Sequence, residues 1–481
     1  MCVQSMVMLR RVLSAWVLAV LAAGVLTGVA RAGRFSPPVR LPGSEEEPEW
    51  HFAVNDRGQA VAVRFGGAER EKARVLVYPI RRSGRLGRPW RLDVPDILLP
   101  EPAPTVALDD RGRVAVAIDV EERGSEGEHS FGSGEHVAFA SWRLGSRPPA
   151  LQILTPRGDE TSYSEGQLNQ PEIVIGPNAI TALWTAGGRT PEEGVEPAQV
   201  DEAFGTVGGP LHAVRLTAVR AGGGTITHLA LAPNGAPLAS WVDGQGRLTT
   251  VKGNLNGTIG RPRETRTLSH FRYAGEFAND AYGNTALLYW TTPLRRTHSK
   301  HWQTQVMLVS SHDGQPFDRP RVLGEVPAGG STGSIDESLE ASILAGGRQS
   351  MFALWGYPGS EGFAAEGFRV RGGSLHGPLG PQQRVGPDAM GFVSPAGRAV
   401  IVYDHERYPT GGGTEAAGVV AVSGPVGGRF GASRTITPHL EECSIPGQLS
   451  IPPEPIATSP DGRAIFNVQC PAGEYLIRYA P

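Results

Sequence analysis

Lysine is nearly missing: Lys72, Lys252 and Lys300 are the only three in 481 residues. Basic charge is therefore almost all arginine, and the formal net charge is −3. No cationic stripe is available to meet nucleic acid or an anionic membrane, so neither is expected as a partner. Cysteine is just as scarce, with Cys2, Cys443 and Cys470. That is too few for a multi-disulfide scaffold or a four-cysteine zinc site. Helical periodicity is lacking along the chain, which removes bundles and alternating α/β folds. The Ala, Gly and Arg bias is the kind that a GC-rich bacterial gene imposes.

Glycine and proline are abundant instead, 64 and 40 residues, and they punctuate a repeat. Eight segments share one pattern: 51–65, 105–119, 172–184, 228–242, 275–290, 341–355, 391–404 and 455–469. Each is a short apolar run, a turn such as Asn55-Asp56-Arg57-Gly58 or Asp109-Asp110-Arg111-Gly112, and a second run of small and β-branched residues. The glycine supplies positive φ for a three- to five-residue hairpin. Runs such as Val114-Ala115-Val116-Ala117 have no polar face, as expected of strands covered on both sides. A second hairpin follows each first one, with a Gly/Pro turn such as Gly257-Thr258-Ile259-Gly260-Arg261-Pro262 and a polar strand. Proline at the start of that strand marks a sheet edge.

Repeated four-stranded units without helices predict an all-β fold, a β-propeller of eight blades. The poor match over 186–214 leaves seven as the alternative; its outer strands are expected at 202–207 and 211–217. The ends predict closure. Residues 33–41 match the edge-strand motif with no inner hairpin before them, whereas the last hairpin is followed by a third strand, 474–479, and no fourth. The N-terminal strand should complete the last blade, making 33–481 one domain.

Residues 1–32 stand apart. Arg10-Arg11 precedes an apolar segment, and Ala30-Arg31-Ala32 offers a small-x-small cleavage site, as in a secretory signal peptide. A retained anchor is the alternative, since the run approaches the ~18 residues a bilayer span needs. Cleavage would leave a soluble, secreted or periplasmic monomer with two cysteines. In that setting Cys443 and Cys470 are expected to pair, with Cα atoms ~4.4–6.8 Å apart; two buried free thiols are the alternative.

Loop lengths point to one face. Turns between strands one and two, and between three and four, are short; the connections from strand two to three and between blades hold the insertions. The candidate ligand-binding residues on that face are Asp119, Trp184, Asp243, Trp290, Tyr357, Asp404, His405 and Arg407. The recurrent tryptophans have a second reading, packing between blades. His298 and His301 lack cysteine or carboxylate partners, the acidic run 119–128 lacks alternate-position ligands, and no metal or cofactor is expected.

The hairpin Ser459-Pro460-Asp461-Gly462-Arg463-Ala464-Ile465-Phe466 resembles the S-P-D-G-x-x-I-x-F hairpin of TolB-type propellers. Other copies are similar to repeats of secreted sialidase-like propellers. The resemblance implies the architecture and transfers no catalytic residue: after Ser459 and Asp461, Gly462 comes one place early for an Asp box, and no tryptophan follows. Two functions fit. One is an exported module that binds a protein or glycan through the loop-rich face. The other is a carbohydrate-active hydrolase or lyase at the channel mouth, using Glu337, Glu340 and Asp404.

Overall fold

The computed structural model describes residues 33–481 except 43–49, 67–73, 95–97, 101–103, 123–134, 155–170, 187–197, 220–224, 261, 263, 281, 292–293, 296–301, 328–339, 347–349, 357–367, 387–388, 395–396, 408–414, 441 and 446–455. Residues 1–32, and with them the expected signal peptide, lie outside the described residues.

Eight antiparallel sheets follow one another along the chain, each with the strand order of a propeller blade. Blade 1 is His51–Val54, Ala60–Gly66, Arg74–Ile80 and Trp90–Asp93. Blade 3, whose pattern was weakest, is complete: Glu172–Ile175, Ile180–Ala186, Ala198–Gly205 and Leu211–Val219. Its third strand begins four residues before the expected 202, because the strand continues past a bulge at Val200/Asp201 that blurs the alternation. The eight count therefore stands.

Closure is as expected. Arg34–Phe35 and Val39–Arg40 pair with Gly473–Ala480, the third strand of blade 8, with Phe35 opposite Tyr479 and Val39 opposite Leu476. Core side chains sit between blades. Among the described residues eight hydrophobic clusters each join two neighbouring sheets, one of them uniting Leu41, Trp50 and Phe52 with Ile465 and Leu476. Trp184 packs between blades 2 and 3, Trp241 between 3 and 4, and Trp290 and Trp355 between 5 and 6. The tryptophans thus serve interblade packing. Each covers ~150–250 Å², an upper bound of ~4–6 kcal/mol at 25 cal/mol per Å².

The inner turns interlock around the ring. Asp461 N–H donates to Asp56 Oδ1 at 2.7 Å, and Asp56 N–H donates to Asp110 Oδ1 at 3.0 Å. Asn55 Nδ2 donates to the Asp109 carbonyl at 2.7 Å, and Arg111 and Arg113 both reach the Pro177 carbonyl. Gly235, at φ +81°, lies so near Pro177 that a Cβ there would come within 2.4 Å of the ring. The hairpin that resembles TolB repeats is therefore part of the seam between blades 8 and 1.

Cys443 and Cys470 form a disulfide with a Cα separation of 4.1 Å, just under the expected range. The reason is register. Ser444 and Gln469 exchange both backbone hydrogen bonds at 2.8 Å, which leaves the cysteines directly opposite as a non-hydrogen-bonded pair. In such pairs the backbones approach to ~4.5 Å.

Candidate functional site

Strands alternate in direction within each blade, so the strand-two ends and the connections that follow them share one face with the interblade segments. The expected site residues fall there with different degrees of freedom. Asp119, near the end of strand two in blade 2, is half-buried. Trp184 and Trp290 are buried in the interblade clusters. Asp243 caps its own tight turn, accepting from Gln245 N–H at 3.0 Å, Arg247 N–H at 2.9 Å and Arg247 Nε at 2.6 Å. Asp404 is buried and accepts the Ile445 N–H at 2.8 Å, tying blade 7 to the segment that carries Cys443. His405 is exposed. Arg407 ends its strand, Arg398–Arg407, and its side chain is outside the described residues. Tyr357 and Glu337 lie outside them, as does the side chain of Glu340.

Sequence reading missed a polar tier along the inner strands. Glu172, His228 and Glu276 each stand four residues before the inner turn of blades 3, 4 and 5, as His51 does in blade 1. Glu172 Oε2 accepts the Leu229 N–H at 2.7 Å and lies 3.2 Å from His228 Nδ1. Glu276 Oε2 accepts the Ile343 N–H at 2.9 Å. The His228 ring stacks on Phe277, centroids 5.9 Å apart and planes 8° apart. Each side chain thus reaches from its own blade to the next. Burial lowers the pKa of His228, but the charge and hydrogen bond of Glu172, the charge of Glu276 and the hydrogen bond of Asn279 together raise it above 6.5. Burial pushes His51 down to about 4. The signal was available as ionisable residues at one offset from the turn in three consecutive blades.

Two concavities formed by described residues lie on the turn face, where the three-to-four turns of neighbouring blades meet. One, of about 360 Å³, is lined by Ser141, Trp142, Arg143 and Arg147 of blade 2 with Val207 and Gly208 of blade 3. The other, of about 340 Å³, is lined by His312, Gln315, Pro316 and Asp318 of blade 5 and His376 of blade 6. Ligand binding was expected on the loop face, whose insertions lie largely outside the described residues. Among the described residues no helix is long and apolar enough to cross a membrane, and no three His, Cys, Asp or Glu side chains converge as a metal set.

No protein family model matches the chain, and no curated protein does. Among solved structures it is similar to the WD40 domain of SCAP from fission yeast, at 9% identity and TM-score 0.43 over 93% of this chain and 98% of that one. It is similar to the polysaccharide lyase Uly1 at 8% identity and TM-score 0.43, over 78% and 89%. A Dyadobacter fermentans protein of unknown function is similar at 12% identity and TM-score 0.36, over 78% and 93%. Such distant likenesses carry no argument about activity. The propeller stands on this chain's own strand order.

Proposed function

We propose that the protein is an exported propeller that binds a protein or glycan partner through its loop-rich face. One observation carries the reading: the two faces are built for different tasks. On one, the inner turns are spent on one another, through Asp461–Asp56, Asp56–Asp110 and Arg113–Pro177. The opposite face receives the longest connections, between Leu154 and Glu172, Pro327 and Glu340, Gly356 and Arg369, and Thr435 and Ile456, and a rigid ring that holds variable loops is the common arrangement for recognition. His405 and Arg407 stand at the edge of that face, where blade 7's second strand leads into the 408–414 connection. Export is supported by the leader-like 1–32 and by the disulfide that ties the closing blade.

The alternative, a carbohydrate-active hydrolase or lyase, rests on Glu337, Glu340 and Asp404. Of these Asp404 is committed to the Ile445 N–H, so binding is the preferred reading. A glycan array and a pull-down from the producing cell's envelope fraction, both with the untagged chain, identify the partner. Arg407→Glu should then weaken capture about tenfold. The turn-face control is the exposed Arg57→Glu, because Arg111 bonds across to blade 3 and is not neutral. Loss of capture with Arg57→Glu and none with Arg407→Glu would refute the loop face as the binding surface.

A further inference from the structure

We propose that the turn-face pocket between blades 5 and 6 binds a divalent transition-metal ion of the kind imidazole favours, zinc, nickel or copper. The protein ligands would be His312 and His376 with the amide oxygen of Asn284, and water would complete the shell.

The geometry converges on one atom. His312 Nδ1 lies 2.7 Å from Asn284 Oδ1, and His376 Nε2 lies 3.5 Å from the same oxygen. That oxygen is held in place. Asn284 is fully buried, its Nδ2 donates to Asp280 Oδ2 at 2.6 Å, and its backbone N–H donates to Asp280 Oδ1 at 2.9 Å. A carboxylate accepts only, so Nδ2 must face Asp280 and Oδ1 must face the two imidazoles. With zinc–nitrogen bonds of ~2.0–2.1 Å, neighbouring ligands of one ion stand roughly 2.9–3.4 Å apart. Both distances to Asn284 Oδ1 lie within a few tenths of an ångström of that spacing, and in the bound state His312 keeps its proton on Nε2 so that Nδ1, which donates to Asn284 without the ion, can coordinate.

The outer partner is also present. His376 Nδ1 is 2.7 Å from Asp318 Oδ2, so Nδ1 carries the proton and Nε2 is the nitrogen left to coordinate. Ser310 Oγ donates to the same carboxylate oxygen at 3.4 Å. A carboxylate behind a histidine, fixing its tautomer and raising its basicity, is the usual support of a metal-binding imidazole. Imidazole with oxygen ligands suits zinc, nickel and copper.

The pocket between blades 2 and 3 is an internal control. Asn284 is the cross-strand partner of His312, as Arg113 is of Arg143. Superposing the turns at Gly314 and Gly145 puts Asp318 on Pro149, and matching Gly377 to Gly209 puts His376 on Gly208. The same wedge is thus built elsewhere with Arg143, Pro149 and Gly208, and the Asn284 position is filled by Arg113, which donates to Gly176 and Pro177 carbonyls. The fold does not require the two histidines. A partly exposed His376–Asp318 ion pair would by itself add little stability.

The test is independent of the loop-face reading. The untagged chain, stripped with chelator, is titrated with zinc by calorimetry and loaded with copper(II) for electron paramagnetic resonance. One saturable equivalent and nitrogen hyperfine structure from two imidazoles are expected. His376→Ala and His312→Ala should each abolish that equivalent, and Asp318→Asn should weaken it about 10–100-fold. The double variant His298→Ala/His301→Ala, which removes two histidines three residues apart in the sequence, should keep it. Unchanged far-UV circular dichroism and melting of His376→Ala certify its fold; should it unfold, His376→Asn, which can still bond Asp318, replaces it. No saturable binding by the wild type, or binding indifferent to His312 and His376, overturns the proposal.

Discussion

Gln152 grips the backbone of Leu211 with both ends of its amide: Nε2 donates to the Leu211 carbonyl at 2.8 Å, and Oε1 accepts the Leu211 N–H at 2.9 Å. Gln383 repeats the grip four blades on, donating to Gly428 O at 2.8 Å and accepting from Phe430 N–H at 3.0 Å. Each glutamine stands on the outermost strand of one blade and holds the outer hairpin of the next. Gln152→Ala should cost ~1–3 kcal/mol, because it strands a partly buried donor and acceptor together. Gln152→Glu should be at least as harmful, since a carboxylate cannot donate to the Leu211 carbonyl. Urea unfolding midpoints measure both; a glutamate variant as stable as wild type would rule out the two-ended grip.

The Cys443–Cys470 bond joins residues 27 apart, beside the seam where the chain ends meet. Its removal by Cys443→Ser/Cys470→Ser should cost roughly 3–4 kcal/mol in the chain-entropy model. Reductant should lower the melting temperature of the wild type and leave the double variant unmoved. Equal stability with and without reductant would show that the bond adds nothing to closure.

The hairpins could be read in the sequence because the evidence for each is local. A turn with a positive-φ glycine at Gly58 or Gly112 sits between apolar runs, and the chain repeats it. Closure was legible for a related reason, an edge strand at one end and a missing one at the other. What joins the blades was not. Gln152 and Leu211 are 59 residues apart, and Asn284 and His376 are 92 apart, so nothing in either neighbourhood marks the partner. Asp243 and Asp404 looked free for a ligand because a carboxylate near a loop reads alike whether it meets solvent or a backbone N–H. The tier of Glu172, His228 and Glu276 becomes visible only after the inner turns are superposed.

That tier should give His228 an unusual titration. Its pKa lies above 6.5 in the folded chain, so the native state binds the proton more tightly than the unfolded one. The stability this contributes is complete below about pH 6.5 and is lost as pH rises through the raised value. Glu172→Gln should bring the His228 midpoint down, as followed by histidine C2 hydrogen exchange in mass spectrometry. His51 has the opposite sign. Its value of about 4 means that its contribution is complete above about pH 6.5 and is lost as pH falls towards 4. A His228 midpoint unmoved by Glu172→Gln would disprove the coupling between blades 3 and 4.

Glu202 offers a substitution expected to stabilise. Its carboxyl, on the third strand of blade 3, is buried, and burial pushes its pKa up to about 7 from 4.5 although the Ile259 N–H, donated at 2.9 Å, favours the ionised form. The folded state therefore holds this proton more tightly than the unfolded state between those two values. The contribution of Glu202 to stability is complete below pH 4.5, falls between 4.5 and about 7, and is level above that. Glu202→Gln keeps an oxygen for Ile259 and carries no charge to desolvate. At pH 8 it should gain on the order of 3 kcal/mol, the free-energy equivalent of the shift; at pH 4 it should be nearly neutral. Subtracting variant from wild-type stability at each pH isolates Glu202 from His228 and His51. A difference that stays flat from pH 4 to 8 would mean that Glu202 is ionised at no cost, with water reaching the seam between blades 3 and 4.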